Sequence, residues 1–227
     1  MMLNKNTFDY AAMLNITGQN CVIIGGGSVA ARKLATLGEA GAIITIVAPE
    51  FCSEALNGAD KYSCNVLLEH YRPEHLKGAF ITIAATDSKE INRKITAAAP
   101  FLVNNITEPE LSNFIVPASM QVGEIKLTIA TGGIPAYTRF LKSFLKQKLT
   151  PAFAEFNEFL KEQRQQVKNI PSTPAERTAF WRQALSPEVL NLLENNDVLQ
   201  AKEKVQYAVN SFRAQSQNGT SRNPRTL

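Results

Sequence analysis

Three consecutive glycines, Gly25 to Gly27, follow a short apolar run and lead directly into a segment suited to a helix. With Ala30 they form the spacing G-x-G-x-x-A, in which the first glycine allows a tight turn and the second lets the backbone approach a pyrophosphate. A helix that begins here offers N–H groups and the positive end of its dipole to phosphate oxygens. The pattern predicts a dinucleotide-binding loop, and a tight turn without a ligand is the alternative.

The residues at the end of the next strand indicate whether the dinucleotide is NAD or NADP. An apolar segment at residues 43–48 predicts this strand and completes a strand–helix–strand unit around the glycine loop. The acidic residue that holds the adenosine ribose is expected at its end, where Pro49 and then Glu50 stand. Because a carboxylate disfavours a 2′-phosphate, Glu50 indicates NAD rather than NADP.

Further apolar runs at residues 64–69, 79–85 and 101–105 alternate with segments suited to helices, of which the clearest spans residues 89–98 behind a cap at Asp87 or Ser88. This alternation predicts an α/β fold with a Rossmann-like, doubly wound parallel sheet. Ligands of such sheets bind beyond the carboxyl ends of the strands, and four candidate residues fall at that edge: Gly25, Pro49, Thr86 and Asn104.

The pattern changes after Pro109. Segments at residues 114–118 and 123–130 alternate polar and apolar residues, which predicts strands with one exposed face. Helices are predicted at about residues 136–149 and 152–168, followed by a proline-containing break and three shorter helices. We therefore divide the chain into a Rossmann domain (1–113), a small α+β region (114–150), a helical domain (151–213) and a polar tail (214–227) expected to be disordered.

Composition excludes several classes of function. Three of the four net positive charges come from Arg213, Arg222 and Arg225 within residues 213–227, so the charge does not indicate nucleic-acid binding. We expect a cytoplasmic protein, because no signal peptide is visible and no apolar run approaches the roughly 20 residues of a membrane span. The three cysteines and two histidines lack metal-site spacing, which favours buried free thiols over metal ligands or a redox pair.

A second glycine pair, Gly132 and Gly133, precedes the predicted helix at residues 136–149. The pair is suited either to an anion or carboxylate site at the helix start or to a plain strand-to-helix turn. On this helix Arg139, Lys142 and Lys146 share one face, which is either solvated or meets an acidic ligand. The sequence shows no recognisable nucleophile–base pair, so it does not support hydrolytic catalysis. Hydride transfer, in which a cofactor carries the chemistry, is the favoured interpretation.

The chain resembles the precorrin-2 dehydrogenases, a family that includes the amino-terminal half of siroheme synthase. The resemblance spans about residues 10–150 and rests on six segments in order at family spacing: residues 21–33, 41–51, 83–87, 103–104, 114–118 and 129–135. It implies NAD-dependent oxidation of precorrin-2 to sirohydrochlorin in sirohaem or related tetrapyrrole biosynthesis. It also implies a homodimer built through residues 114–150, with a helical domain over the active-site cleft.

The resemblance also implies roles for individual residues. Ser28, Val29, Pro49 and Glu50 are implied to contact NAD, and the glycine spacing and the sheet edge add Gly25, Gly27 and Thr86 to the predicted cofactor site. The implied substrate is a polycarboxylate, which favours an acidic ligand for the basic face of Arg139, Lys142 and Lys146. We also predict substrate contacts from Asn104 near the end of the fifth strand and from Thr131, Gly132 and Gly133 before the basic helix. No resident metal is implied, although some members of the family insert ferrous iron into the product.

One departure from the family pattern affects the catalytic position. Many members carry Asn-x-x-Asp after the fifth strand, and the aspartate is assigned to catalysis and chelation; here Thr107 stands in its place and Glu108 follows. Threonine cannot act as a carboxylate base at neutral pH, so either Glu108 substitutes or the function of the aspartate is absent. This departure puts iron chelation in doubt more than dehydrogenation.

Two other interpretations of the function remain. A non-catalytic tetrapyrrole- or NAD-binding carrier or regulatory partner of the haem pathway would keep the fold and lose the chemistry, and Thr107 is the residue that raises this alternative. A nucleotide-sensing regulatory domain would share the glycine loop but does not explain the block from Phe114 to Pro135.

Overall fold

The computed structural model describes residues 10–220, with side chains to residue 217. The chain divides after Val116 into two compact units. Among the described residues, the first unit contains a five-stranded parallel sheet, and the second contains a β-hairpin and five helices.

The sheet of the first unit has the strand order β3-β2-β1-β4-β5, with every pair parallel. The strands, all predicted to within a few residues, are β1 (Asn20–Ile24), β2 (Ile43–Ala48), β3 (Asn65–Leu68), β4 (Ile81–Ala84) and β5 (Leu102–Asn105). Since the order reverses between β1 and β4, the carboxyl ends of these two strands flank the crevice in which such sheets bind ligands. The predicted Rossmann-like architecture is confirmed.

Helices cover both faces of this sheet. They are α1 (Ser28–Glu39), α2 (Ser53–Lys61) and α3 (Lys89–Ala98), and short 3-10 turns lie at Pro73–Leu76 and Pro109–Leu111. Successive side chains of a strand point to opposite faces, so Cys21 and Ile23 pack with α1 and α2 while Val22 and Ile24 pack on the side of α3. All four are at most 5% exposed, and this double burial fixes the strand ends that carry the candidate site.

The second unit begins with an antiparallel hairpin of β6 (Ala118–Val122) and β7 (Ile125–Ile129). The predicted strand at residues 114–118 is wrong, because Phe114 packs against the core of the first unit and pairing starts only after Pro117. Proline has no N–H to donate to a strand partner, which accounts for the later start. The turn of the hairpin contains Gly123 at φ +58°, where a side chain would collide with Ala154.

The described part of the second unit continues with five helices: α4 (Pro135–Lys148), α5 (Pro151–Lys168), α6 (Pro174–Ala184), α7 (Pro187–Glu194) and α8 (Val198–Thr220). The last four enclose a core around Phe156, Phe180 and Val205. The start of α6 is a capping box in which Thr173 and Glu176 each accept a hydrogen bond from the other's backbone N–H.

The last helix is longer than the sequence analysis predicts. It continues to Thr220, into the tail that we expected to be disordered from residue 214. Arg213 donates to Gln166 of α5 at 3.1 Å, which fixes the helix at the point where the predicted tail begins. Residues 221–227 of that tail lie outside the described residues.

Candidate active site

The glycine loop is held between the ends of β1, β2 and β4. Gly25 N–H donates to the Val47 carbonyl at 2.9 Å, and the Gly26 carbonyl accepts from Cys52 N–H at 2.8 Å. A Cβ atom on Gly25 would overlap the Ala85 carbonyl, and one on Gly26 would overlap the Glu50 carbonyl. The protein itself therefore requires glycine at both positions.

Gly27 differs from its two neighbours. A Cβ atom here would have no protein atom within 4 Å among those of the described residues, and the backbone has an ordinary extended conformation at φ −84°. Gly27 immediately precedes α1, whose first turn contains no acidic residue and no side-chain cap. The first N–H groups of a helix have no partner within it, so a phosphate group fits this position by size and charge.

The other predicted cofactor residues lie around this loop. Ser28 is exposed and Val29 is half-buried at the start of α1, while Pro49 and Glu50 are exposed just after β2. Burial and the neighbouring Arg32 lower the pKa of Lys33 in the same helix. The positions of the predicted cofactor residues fit a dinucleotide bound at the glycine loop.

Thr86, at the end of β4, is bound by the side chain of Asn92 in α3. The Asn92 Oδ1 accepts from Thr86 N–H at 3.1 Å and from its hydroxyl at 2.7 Å, while Nδ2 donates to the Thr86 carbonyl at 2.8 Å. Asn92 is fully buried. A buried amide with this many bonds fixes the loop after β4 in one conformation.

The loop after β5 is organised by Asn105. Its Oδ1 accepts from the N–H and hydroxyl of Thr107, at 3.0 and 2.9 Å, and from Glu108 N–H at 3.0 Å. The Thr107 hydroxyl also accepts from Asn92 Nδ2 at 3.1 Å. The hydroxyl that replaces the family aspartate is therefore part of a hydrogen-bond network inside the protein.

Glu108 forms a two-point ion pair with Arg93 of α3. Arg93 Nε donates to one carboxylate oxygen at 2.7 Å and a terminal guanidinium nitrogen donates to the other at 2.5 Å. The side chain of Glu108 is only 11% exposed, and the bonds from Arg93 lower the pKa of its carboxyl group. A carboxylate held in this way is a weak proton acceptor, so the pairing weakens the case for Glu108 as the substitute base.

Asn104 is buried in β5, and its Nδ2 donates to the Phe114 carbonyl at 3.4 Å. Thr86, Asn104, Thr107 and Glu108 thus belong to the same edge of the sheet as the glycine loop. The structure brings these predicted residues together as the topology requires.

The remaining predicted substrate residues belong to the second unit. Gly132 and Gly133 have φ values of +61° and +91°, which glycine adopts without strain. The hydroxyls of Thr131 and Thr138 lie 2.5 Å apart, and both are within 3.1 Å of the Ile134 carbonyl oxygen. This turn accounts for the glycines structurally and leaves a carboxylate-binding role as a prediction.

Arg139, Lys142 and Lys146 are exposed on α4, as the spacing predicts. A stripe of aromatic side chains, Tyr137, Phe140 and Phe144, is exposed on the opposite side of the helix. No residue of α4 is buried within the described chain. Two surfaces of α4, one basic and one aromatic, are therefore available for binding.

Other groups stand apart from this site. A groove of about 1130 Å³ lies between α6, α7 and α8, and none of the predicted site residues lines it. Cys21 is a buried free thiol, and its burial raises its pKa to about 11. Cys52 and Cys64 are half-buried free thiols. In the described part of the chain, no cluster of three His, Cys, Asp or Glu side chains is suited to a metal ion, and no helix is long and apolar enough to cross a membrane.

Sequence reasoning missed three residues of the site. Gly26 was treated as a spacer, although the close approach of Glu50 requires glycine there. Asn92 and Asn105 organise the two loops but carry no motif. One signal in the sequence could have identified Asn92. It is a polar residue three positions before the buried Ile95, on the same face of α3.

Family models match both parts of the chain. Residues 12–118 match a model described as putative NAD(P)-binding, which confirms the predicted type of cofactor site. Residues 152–209 match the sirohaem synthase dimerisation region. That description covers the helices α5 to α8, whereas the sequence analysis assigned dimerisation to residues 114–150.

Curated relatives and a solved structure are similar to the chain over most of its length. It is 38% identical over 180 residues to siroheme synthase of Nitrosospira multiformis, covering 76% of this chain and 38% of the relative. Siroheme synthase of Nitrosomonas eutropha is 33% identical over 181 residues, covering 78% and 38%. The structure of SirC, a precorrin-2 dehydrogenase, has a TM-score of 0.69 and 25% identity, covering 86% of this chain and all of SirC. The chain spans about two fifths of the length of these curated relatives.

Proposed function

The chain belongs to the family that comprises the precorrin-2 dehydrogenases and the amino-terminal part of siroheme synthase, and from this we propose that it oxidises precorrin-2 to sirohydrochlorin with NAD. The observation that supports this most strongly is the glycine loop, at which Gly27 leaves the start of α1 open to a pyrophosphate. It lies at the same sheet edge as the loop that carries Thr107.

The residues of the first unit would hold the cofactor and orient the substrate. When bound, NAD supplies the hydride acceptor, and the second hydrogen leaves the substrate as a proton. The start of α1 would bind the pyrophosphate, and the exposed Glu50 would meet the adenosine ribose and disfavour a 2′-phosphate. Catalysis would then depend on positioning, since Thr107 and Glu108 are both engaged in internal bonds.

This chemistry is tested by anaerobic incubation of the purified protein with precorrin-2 and NAD, in which NADH formation is followed. We expect turnover in the wild type and loss of turnover in Gly27→Asp. A Glu108→Ala variant with full activity would eliminate Glu108 as the substitute carboxylate. Iron insertion is expected to be weak or absent, because the aspartate assigned to it in the family is replaced by Thr107.

A carrier or regulatory role is the second candidate. It is favoured by one observation: Glu108, the carboxylate nearest in sequence to the family's catalytic position, is tied to Arg93 with a lowered pKa. A carrier would bind precorrin-2 and NAD with normal affinity and form no NADH. Equilibrium binding of both ligands without turnover would therefore select this candidate over the enzyme.

We propose further that the aromatic stripe of α4 forms part of a homodimer contact. Tyr137, Phe140 and Phe144 are 49%, 64% and 49% exposed, and the rings of Tyr137 and Phe140 stack with centroids 6.3 Å apart. Contiguous exposed apolar surface of this kind is typical of association sites. The stripe lies in residues 114–150, which the resemblance assigns to dimerisation, and it directly precedes residues 152–209, which match the sirohaem synthase dimerisation region.

Replacement of Phe140 by glutamate would place a charge in that contact. We expect Phe140→Glu to shift the protein to a monomer in sedimentation equilibrium. Phe101→Glu is the matched control, since Phe101 is 62% exposed in the first unit and its replacement should leave the dimer intact. A Phe140→Glu variant that remains fully dimeric would contradict this assignment.

A further inference from the structure

Asn92 connects two loops that carry predicted site residues. Its side-chain amide has capacity for two donated and two accepted hydrogen bonds, and all four are made. Three go to Thr86 in the loop after β4, and the fourth goes to the Thr107 hydroxyl in the loop after β5. The opposite amide orientation would set the NH2 group against Thr86 N–H, so the bonding pattern defines which atom faces which loop.

The network is extended by a second amide. Thr107 donates its hydroxyl proton to Asn105 Oδ1, and Asn105 Nδ2 donates to Thr96, whose hydroxyl in turn donates to the Asn92 carbonyl at 2.8 Å. Asn92 and Asn105 are both fully buried. Removal of one member leaves buried polar groups without partners, and the loops must then move to reach water.

We propose that Asn92 is a positioning residue that fixes the cofactor-side loop, through Thr86, relative to the substrate-side loop, through Thr107. This inference rests on the proposed function for the identity of the two ligands. It assigns Asn92 no contact with either of them. It explains how a threonine is accommodated at the family's aspartate position: the hydroxyl accepts from Asn92 and donates to Asn105.

The proposal predicts distinct effects for two substitutions. Asn92→Ala releases both loops, so amide hydrogen exchange at Thr86 should accelerate, the dissociation constant for NAD should rise at least about tenfold, and kcat with precorrin-2 should fall. Thr107→Val removes the link between the loops and the bond from the Thr107 hydroxyl to Asn105, and it leaves the bonds between Asn92 and Thr86 in place. It should leave NAD affinity within about twofold of wild type and keep Thr86 protected, while kcat falls. Asn57→Ala, at an exposed position of α2, is the control and should change none of these quantities.

A double-mutant cycle tests the link itself. If Asn92 acts on the substrate side through Thr107, the double variant should lose no more kcat than Asn92→Ala alone. Additive losses would overturn the proposal, as would wild-type NAD affinity and exchange in a folded Asn92→Ala protein. If Asn92→Ala does not fold, an unchanged kcat in Thr107→Val overturns it.

Failure of the proposed function gives a different result. In that case the wild-type protein forms no NADH from precorrin-2. Exchange at Thr86 and NAD affinity then still report on Asn92, because neither measurement requires turnover.

Discussion

The chain contains two glycine turns that lead into helices, and they are built for different reasons. Before α1, a side chain at Gly25 or Gly26 would overlap the backbone carbonyl of a neighbouring loop. Before α4, Gly132 and Gly133 have positive φ values, but an added Cβ would meet no protein atom within 4 Å among the described residues. The first turn is a crossing point of three chain segments, and the second is a local change of backbone direction.

This difference distinguishes glycines that the protein structure requires from a glycine that a bound ligand requires. Gly25 and Gly26 are required by packing, and Gly132 and Gly133 by backbone conformation. Gly27 is required by neither, since its φ is −84° and a Cβ would be unobstructed. Glycine at this position is therefore explained best by a ligand that approaches the backbone. A dinucleotide bound at this loop would be such a ligand.

The largest expected effect is on the stability of the first turn. Gly26→Ala should lower the free energy of unfolding by about 3 kcal/mol, because the new methyl group overlaps the rigid Glu50 carbonyl. Gly25→Ala should cost at least as much, since it adds strain at φ +133°. Urea unfolding followed by circular dichroism measures both. Stability within about 0.5 kcal/mol of wild type would mean that the segments separate easily.

Gly27 should show the opposite behaviour. Gly27→Asp should leave the free energy of unfolding within about 0.5 kcal/mol of wild type, because the side chain has open space. It should weaken NAD binding by about a hundredfold or more, since a carboxylate would stand against the pyrophosphate. Gly27→Ala separates bulk from charge and should give a smaller loss. Unchanged NAD affinity in Gly27→Asp would show that the loop is only structural.

The second turn should respond only through its backbone conformation. Gly132→Ala should destabilise by about 1 to 2 kcal/mol, because φ is +61° and no collision follows. Gly132→Asn should cost less, since asparagine tolerates this region. NAD affinity should not change in either variant. Equal losses for alanine and asparagine would show that φ is not what requires glycine at this position.

The smallest expected effect is that of the basic face of α4. Lys142→Gln or Arg139→Gln should raise KM for precorrin-2 by about twofold to fivefold, as expected for a screened surface charge. The increase should shrink at high salt, and NAD affinity should stay constant. Lys168→Gln, at the exposed end of α5, is the control. KM values equal to that of the wild type in both Lys142→Gln and Arg139→Gln would show that the basic face is a solvated surface.

Much of the first unit could be predicted because its signals are local. Buried parallel strands are continuous apolar runs, and the glycine spacing and the Ser88 cap of α3 identify where helices begin. The partners of Thr107 and Glu108 could not be predicted in this way. Asn92 and Arg93 lie about 15 residues earlier in the chain, and only the packing of α3 beside β5 brings them together.

The second unit shows a different limit. The helices were predicted from caps such as Thr173, but the extent of α8 depends on tertiary contacts of Arg213 that no local pattern indicates. The strand expected at residues 114–118 failed because alternation alone does not show which residues have a pairing partner. The predicted domain boundaries and site roles remain predictions to be tested by the variants above.

We propose that NAD bound at the glycine loop accepts hydride from precorrin-2. The most direct test is an anaerobic reaction in which NADH and sirohydrochlorin are quantified together, with NADP in a parallel reaction. We expect one NADH for each sirohydrochlorin, a clear preference for NAD, and no product with Gly27→Asp. Bound precorrin-2 and NAD without either product, or equal rates in Gly27→Asp and wild type, would contradict it.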